Sequence, residues 1–370
     1  MFSLSSTEPT KVAIVYCTLL YFLMLFYYWK KCITYGNLLK GKTSLIFVVL
    51  VSLFSITSFY NGDFFHYKSF LDSFDGLGSI GFEDFYQYLI LYTDKNYLIF
   101  RTVVFGGSII IAYLVMDLLG VTAVTALFFL FAVFITDFDY SRASLAMSVY
   151  YLGLALILIK RNVFLSILGV GIILLSYQFH RSALIMIVMT IAIFVPINRN
   201  TIIPLILIYV FGYSYLKEYY YSFINDMIDS EYTDLAIKVE VYANAERNEL
   251  KGNFLGRFMY IWQFLIYYLI FIYDTKCIFF NKKNQFVVSE IKKLYRVCFA
   301  LIAFSTFMLF INSGDLSLFY RFLYMTIIPL SVMSTYLFSH QIMSKKAYII
   351  QILFGAVYLS IGFIHKSISF

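Results

Sequence analysis

Charged residues are scarce in this 370-residue chain: 13% are Asp, Glu, Lys or Arg, whereas 61% are hydrophobic. A soluble domain carries about 25% charged residues and less than about 50% apolar ones. So few charges cannot coat a soluble surface, and the mean hydropathy of +0.81 agrees. The composition therefore excludes a soluble domain and predicts that lipid is the solvent for most of the chain.

Several signals of other protein classes are also missing. The four cysteines form no CxxC pair, which argues against a zinc site or a structural disulfide. No Walker A, HExxH, GxSxG or nucleotide-sugar DxD motif is present, so soluble activated donors are not the expected substrates. The sequence has no stripe of basic and aromatic residues, so it does not predict nucleic-acid binding. The first apolar run, 12–29, is too long for a cleaved signal peptide and has no small-residue cleavage site.

Long apolar runs dominate what remains, and a membrane-crossing helix needs about 20 such residues. The candidate spans are 11–29, 44–60, 97–116, 121–136, 143–159, 163–179, 182–196, 201–216, 258–273, 296–311, 321–338 and 347–364. We predict an all-α, polytopic integral membrane protein with about twelve transmembrane helices and a single transmembrane domain over 1–370. The segment 182–216 is either two crossings or one re-entrant hairpin.

Basic residues near the spans set their orientation, because lysine and arginine favour the cytoplasmic side. Twelve of the 19 lysines fall in alternate loops, which we assign to the cytoplasm: 30–43, 160–162, 197–200, 274–295 and 339–346. Both termini then lie outside. Acidic residues agree independently, since all but three of the 21 fall outside; the exceptions are Asp117, Asp274 and Glu290. Two outer loops are long, 61–96 and 217–257, and segments such as EDFYQYLILY are typical of short interfacial helices.

Arginine does not follow lysine, because six of the nine arginines fall on the predicted outer side. Five lie near the outer start of an inward-running helix: Arg101, Arg142, Arg181, Arg257 and Arg321. A cation there opposes the helix dipole, at about 0.3–1 kcal/mol each, as well as the positive-inside bias. A bound anion would reverse both effects, and guanidinium groups bind phosphate in a bidentate way. The alternative is that each arginine pairs with a carboxylate: Asp137, Asp139, Asp315 or a loop acid.

Polar clusters stand beside these arginines at the same predicted face. They are Asn61–Tyr67, Asp137–Arg142, Gln178–Ser182 and Asn312–Asp315. If helical, Asp63, His66 and Tyr67 share one face. His180 and Asp63 are candidate general bases, the alternative for His180 being a hydrogen-bonded interfacial histidine. The Asp137/Asp139 pair has no third ligand nearby in sequence, so we predict no metal site.

Several short segments, in this order and at this face, resemble the EpsG family within the Wzy-type bacterial polysaccharide polymerases. The segments are Gly62-Asp63…Tyr67, Glu83…Phe85, Arg142-Ala143-Ser144-Leu145-Ala146, Phe179-His180-Arg181-Ser182-Ala183-Leu184 and Tyr320-Arg321…Tyr324. The fourth is similar to the family's Phe-His-x-Ser-Ala pattern. The loop 217–257 has no residue-by-residue match.

The resemblance implies a membrane glycosyltransferase at the outer face of the bacterial cytoplasmic membrane. Such enzymes join undecaprenyl-diphosphate-linked oligosaccharide repeat units into O-antigen, capsule or exopolysaccharide. A diphosphate leaving group needs charge stabilisation, which arginines supply, and neither metal nor cofactor is required. We assign catalysis to His180 or Asp63, and substrate binding to Arg101, Arg142, Arg181, Arg257, Arg321, Asp137, Asp139, Asp315 and His66. Membrane lipid surrounds the chain, and a chain-length regulator and a flippase are candidate partners.

Three other functions compete with this interpretation. A flippase or transporter for lipid-linked glycans would also use arginines, but typically places charges in mid-span, where this chain has almost none. A membrane enzyme of acyl or phosphoryl transfer would use His180 as its base. A non-catalytic partner in a synthase complex would keep its activity without any outer ionisable residue.

Overall fold

The chain is described by a computed structural model over residues 70–77, 83–138, 141–159, 162–196, 215, 218, 254–280, 287–311 and 316–369. Within these ranges the structure is helical and has no strand, which confirms the predicted all-α class. The predicted spans 11–29, 44–60 and 201–216, and most of the loop 217–257, lie outside the described residues.

Twelve α-helices can be followed in the described ranges. They are α1 Asp84–Tyr92, α2 Tyr97–Arg101, α3 Gly107–Leu118, α4 Ala123–Phe138, α5 Ser141–Leu158, α6 Val163–Phe179, α7 Ala183–Met189, α8 Phe254–Phe280, α9 Ser289–Ile311, α10 Leu316–Tyr324, α11 Ile327–Ser339 and α12 Lys345–Ser369. A π-helical turn, Thr102–Gly106, joins α2 to α3, and a 3-10 turn, Thr190–Phe194, extends α7.

Among the residues that the structure describes, two helical stretches are long and apolar enough to cross a membrane, Ile99–Leu118 and Ile261–Phe280. Other predicted spans correspond to shorter apolar helices, and the predicted span 163–179 has the same bounds as α6. The helix expected in the loop 61–96 is also confirmed, because EDFYQYLILY contains α1. Apolar runs in the sequence therefore located these helices, while two stretches in the described ranges meet the combined requirement of length and apolar composition for a crossing.

The predicted span 321–338 is wrong as a single helix, because α10 ends at Tyr324 and α11 begins at Ile327. Pro329 explains the break. Its ring would clash with the Met325 carbonyl four residues earlier in a continuous helix. That carbonyl instead accepts a hydrogen bond from the Tyr151 hydroxyl at 2.6 Å.

Two further boundaries differ from the prediction. Helix α8 continues to Phe280, so Asp274 lies inside a helix and is fully buried instead of starting a cytoplasmic loop. The helix expected over 182–196 covers only Ala183 to Phe194, or about 20 Å at about 1.5–2.0 Å per residue. That is short of the roughly 30 Å bilayer core. The re-entrant interpretation of 182–216 stays a prediction, since 201–214 lies outside the described residues.

Helix α4 forms the centre of the bundle and is apolar on all sides, with Phe128, Phe131 and Phe134 completely buried. Helices α3, α11 and α12 pack around it. Gly355 allows α12 to approach closely, since a Cβ there would lie 2.7 Å from the Val133 Cα. Such close backbone contacts at small residues are typical of helices that associate in lipid.

Helices α5 and α6 make the same type of close contact as an antiparallel pair. A Cβ on Gly153 would lie 2.5 Å from the Gly169 carbonyl oxygen, and a Cβ on Gly169 would lie 2.6 Å from the Gly153 carbonyl oxygen. No side chain fits between the two backbones at this crossing. The pair holds Arg142, at the start of α5, and His180, just after α6, near each other at one end of the bundle.

The outward faces of several helices carry large apolar side chains at helical spacing. On α6, Val163 is 75% exposed and Phe164 70%, and the row continues along the helix. Further rows lie on α8 at Ile261, Leu265, Leu269 and Ile272, and on α12 at Ile350, Leu353, Phe354 and Val357. The polar groups of the bundle are, by contrast, largely at its ends or inside it.

Candidate functional site at the arginine-rich end

The short helix α1 carries the residue around which the candidate site is built. Glu83 is its N-cap residue, yet its side chain makes no capping hydrogen bond. The carboxylate instead reaches two later segments: Oε2 accepts from Arg142 Nη1 at 2.8 Å, and Oε1 from the Arg181 backbone N–H at 3.4 Å. Glu83 therefore joins the start of α5 to the turn between α6 and α7.

Arg142 is held by Glu83 and by Tyr86, which lie one turn apart at the start of α1. The buried Tyr86 donates its hydroxyl to the Arg142 carbonyl at 3.2 Å, and its ring centroid lies 5.9 Å from the guanidinium carbon. The Phe85 ring packs edge-on against Phe179, with centroids 4.6 Å apart. The Arg142 side chain keeps 22% of its surface exposed, so the ion pair with Glu83 is accessible from the surface.

His180 occupies the turn between α6 and α7 and is partly buried. Its Nδ1 accepts the Ser182 backbone N–H at 3.1 Å and contacts the Ser182 hydroxyl at 2.7 Å. A backbone N–H can only donate, so Nδ1 is the acceptor and the neutral ring carries its hydrogen on Nε2. The Nδ1 side of the ring therefore fits the alternative given for His180 from sequence, that of a hydrogen-bonded histidine.

The surroundings lower the pKa of His180 from 6.5 to about 4. Burial is the largest cause, because it disfavours the charged imidazolium. Glu83 acts in the opposite direction, whereas the positive charges of Arg142 and Arg321 lower the pKa further. At neutral pH the ring is therefore uncharged, and its pKa is well below the value near 7 that suits a general base.

Arg321 joins this group through space. It lies in the last turn of α10, is exposed at the surface and is near enough for its charge to act on His180. The position corrects one sequence argument, since a cation in the last turn of a helix is favoured by the dipole. The structure thus places four predicted residues at one end of the bundle: Arg142, His180, Arg181 and Arg321.

Arg101 and Asp137 lie buried inside the bundle. Arg101 is 2% exposed, lies at the junction with the π-helical turn, and has its guanidinium carbon 5.1 Å from the Phe105 ring centroid. Asp137 is buried and accepts the hydroxyls of Tyr267 at 2.9 Å and Tyr358 at 2.7 Å. Asp137 thereby ties α4 to α8 and α12, and the substrate-binding roles of both residues stay predictions.

The remaining predicted residues cannot be placed in the site. Asp63, His66, Asp139 and Asp315 lie outside the described residues. Arg257 lies in the first turn of α8, as its sequence position predicted. In the described part of the chain, no group of three or more His, Cys, Asp or Glu side chains is placed to hold a metal ion.

Sequence reasoning missed two members of the site, Glu83 and Ser182, as functional residues. Both lie in segments that carry the family resemblance, which was the available signal. Their roles depend on contacts across 59 and 98 residues for Glu83, and on the local turn for Ser182. Comparisons with family models, with curated proteins and with solved structures gave no match. The site's chemistry therefore rests on its own geometry.

Proposed function

We propose that this chain is a polytopic enzyme of the bacterial cytoplasmic membrane that polymerises undecaprenyl-diphosphate-linked oligosaccharide repeat units. The observation that carries the proposal is the meeting of Arg142, His180 and Arg181 around Glu83, with Arg321 near enough for its charge to act on His180. Two of these arginines and the histidine come from segments that lie far apart in sequence. A glycan polymerase needs such a cationic end to stabilise a diphosphate leaving group.

The membrane location is supported by the outward apolar faces. Side chains such as Val163, Ile261 and Ile350 would each expose hydrocarbon to water in a soluble protein. Soluble proteins carry scattered single apolar residues on their surfaces and rarely carry continuous apolar rows of this length. In a bilayer the same rows contact acyl chains, and close glycine contacts replace the hydrophobic effect as the source of helix association. About twelve crossings remain our proposal for the full chain.

An anion fits this site because three guanidinium groups, those of Arg142, Arg181 and Arg321, lie at the end of the bundle where Glu83 is placed. Arg142 is paired with Glu83, which holds the guanidinium in place and reduces its net charge. Arg181 and Arg321 are exposed beside this pair, and the neutral His180 adds a hydrogen-bond donor, Nε2–H. The pair positions one guanidinium, and the exposed arginines supply the charge that a diphosphate would neutralise.

The sequence suggested that His180 acts as a general base, whereas this geometry favours a role as a hydrogen-bond donor. With its Nδ1 occupied and its pKa about 4, the ring is suited to donate from Nε2–H to a phosphate oxygen. The acceptor hydroxyl then needs another base, for which Asp63 stays the candidate. In this scheme the leaving diphosphate departs with its negative charge held by the arginines and by His180.

The test is deletion of the gene, complementation with variants, and analysis of carrier-linked glycans. We expect Arg142→Ala and Arg321→Ala to accumulate single exported repeat units and to lose long polymer, while the protein stays in the membrane. Arg321→Lys keeps the charge without the bidentate geometry and should retain part of the activity. Lys345→Ala, an exposed cation at the opposite end, is the matched control and should make normal polymer.

Each alternative outcome has a distinct signature in the same experiment. Loss of exported units in the deletion strain would indicate a flippase instead of a polymerase. Full-length polymer from Arg142→Ala and Arg321→Ala would remove the proposed roles of both arginines. For His180, Gln places an amide donor near the Nε2 position, whereas Asn matches only Nδ1. We expect His180→Gln to retain more activity than His180→Asn, and the reverse order would assign His180 to the turn alone.

A further inference from the structure

A second polar site lies inside the helix bundle, away from the residues assigned above. It is formed by Asp274 of α8, Ser334 of α11 and Gln351 of α12, three helices that pack on one another. Asp274 and Ser334 are completely buried, and Gln351 is 7% exposed. The Ser334 hydroxyl donates to Asp274 Oδ2 at 2.8 Å, and the Gln351 side chain lies beside the same carboxylate.

Three polar atoms at this site make no hydrogen bond in the described structure. They are Asp274 Oδ1 and both side-chain atoms of Gln351, Oε1 and Nε2. A buried polar atom without a partner costs about 1–3 kcal/mol, more if it is charged, and such atoms are rare in native proteins. Asp274 Oδ1 and Gln351 Oε1 therefore each need a partner that the described side chains do not supply.

The charge of Asp274 is also uncompensated within the described ranges, where no Lys, Arg or His side chain pairs with it. The nearest groups from the helix itself and from α9 are the buried thiols of Cys277 and Cys298 and the phenol of Tyr295, all uncharged. Lys276 is exposed on the other side of α8 and affects Cys277. A lone carboxylate in an apolar interior needs a counter-ion or a proton.

We propose that Asp274, Gln351 and Ser334 bind one alkali-metal cation, of the Na⁺ class, inside the bundle. The ligands are hard oxygens: a carboxylate, an amide carbonyl and a hydroxyl. One monovalent cation neutralises one carboxylate, whereas a divalent ion would leave a buried excess charge and normally recruits more carboxylates. A cation beside Asp274 Oδ1 would also give Gln351 Oε1 the partner that it lacks among the described side chains, and water completes the coordination shell.

The bound cation would fasten three helices at one point. Ser334 and Gln351 belong to α11 and α12, which pack on the central helix α4, while Asp274 belongs to the long helix α8. Trp262 lies on α8 and donates its indole N–H to the Phe354 carbonyl of α12 at 3.2 Å. Its fluorescence therefore reports separation of α8 from α12, independently of any enzyme activity.

The experiment measures thermal unfolding of the purified full chain in detergent by Trp262 fluorescence, with Trp29 replaced by Phe. NaCl is exchanged for choline chloride at constant ionic strength, and KCl and LiCl are compared at the same concentrations. We expect the midpoint temperature to rise with Na⁺ concentration and to saturate, as binding to the folded state requires. Asp274→Asn should have a midpoint that does not change with Na⁺.

Two further variants keep the proposal testable if Asp274→Asn does not fold. Gln351→Met retains the carboxylate and removes one ligand, so the half-saturating Na⁺ concentration should rise at least about tenfold. Asp137→Asn changes the other buried carboxylate, whose oxygens already accept tyrosine hydroxyls, and should keep the Na⁺ response of the parent. Equal midpoints of the parent in NaCl, KCl, LiCl and choline chloride would overturn the proposal and indicate a protonated Asp274.

Discussion

Arg142 and Glu83, 59 residues apart in the chain, form an ion pair in which Arg142 Nη1 lies 2.8 Å from Glu83 Oε2. For Arg142, the pair matches the alternative considered from sequence, in which each arginine pairs with a carboxylate. It is compatible with the proposed anion site, because Glu83 also accepts the Arg181 backbone N–H and so brings the two segments together. The Glu83 carboxylate therefore neutralises Arg142 and at the same time holds the two segments of the site together.

The ion pair predicts that Glu83 is needed for polymer formation although it is acidic. Glu83→Ala should lose long polymer as Arg142→Ala does, because Arg142 and the turn at His180 lose their common anchor. The double variant should be no worse than either single one, since residues acting as a unit are not additive. Polymer length on gels measures all three. The neighbouring acid Asp84, which is exposed, gives the control Asp84→Ala, and an equal loss there would remove the special role of Glu83.

The pKa of His180 provides a test of convergence that needs no activity. Arg321 lowers this pKa and Glu83 raises it, so Arg321→Gln should raise the value above about 4 and Glu83→Gln should lower it. Histidine NMR titration of detergent-solubilised protein measures both shifts. The control is Lys345→Gln at the opposite end, which should leave the titration unchanged. An Arg321→Gln titration identical to the parent would place Arg321 too far away to share a ligand with His180.

The same pKa fixes the sign of one contribution to stability. A histidine that titrates near 4 when folded and near 6.5 when unfolded favours folding in its neutral form. Its contribution is fully present above pH 6.5 and is lost as the pH falls toward 4. Unfolding midpoints of the parent should therefore decline over this window more than those of His180→Asn.

The α5–α6 crossing predicts a sharp difference between two glycines of one helix. Gly169 faces the Gly153 carbonyl, so Gly169→Val should separate the helices and reduce the unfolding free energy by at least about 1–3 kcal/mol. Gly171 has no atom within 4 Å of its Cβ position, so Gly171→Val should cost far less. Thermal unfolding of the two purified variants gives the comparison. Equal losses would mean that the cost comes from valine in a helix and not from the crossing.

The predicted orientation can be tested by cysteine labelling in intact cells, after Cys17 and Cys32 are replaced by Ser. Tyr92 is 84% exposed at the arginine-rich end, and Lys345 is exposed at the opposite end. A membrane-impermeant maleimide should label Tyr92→Cys in intact cells and Lys345→Cys only after permeabilisation. Cys277 and Cys298 are buried and should react slowly. Labelling of both new cysteines from outside would contradict the membrane topology.

Helix positions followed from local pattern to a large extent. The boundaries of α6 were predicted correctly from an apolar run between polar residues, and α1 was predicted from its interfacial pattern. The break at Met325-Thr326 was missed because hydropathy does not register that Pro329 excludes a continuous helix. Asp274 was taken for a loop residue because a charged residue lowers the local hydropathy even when a helix buries it.

Sequence by itself determined the helical class, the apolar character and the grouping of arginines with His180, because these depend on composition and on neighbours along the chain. Only the tertiary structure decided that Glu83 joins Arg142 to the turn at Arg181, that Asp137 binds two tyrosines, and that Asp274 faces Gln351. Each of these contacts joins residues from different helices. Their existence depends on which helix faces turn toward each other, and that is set by packing over the whole bundle and not by any local pattern.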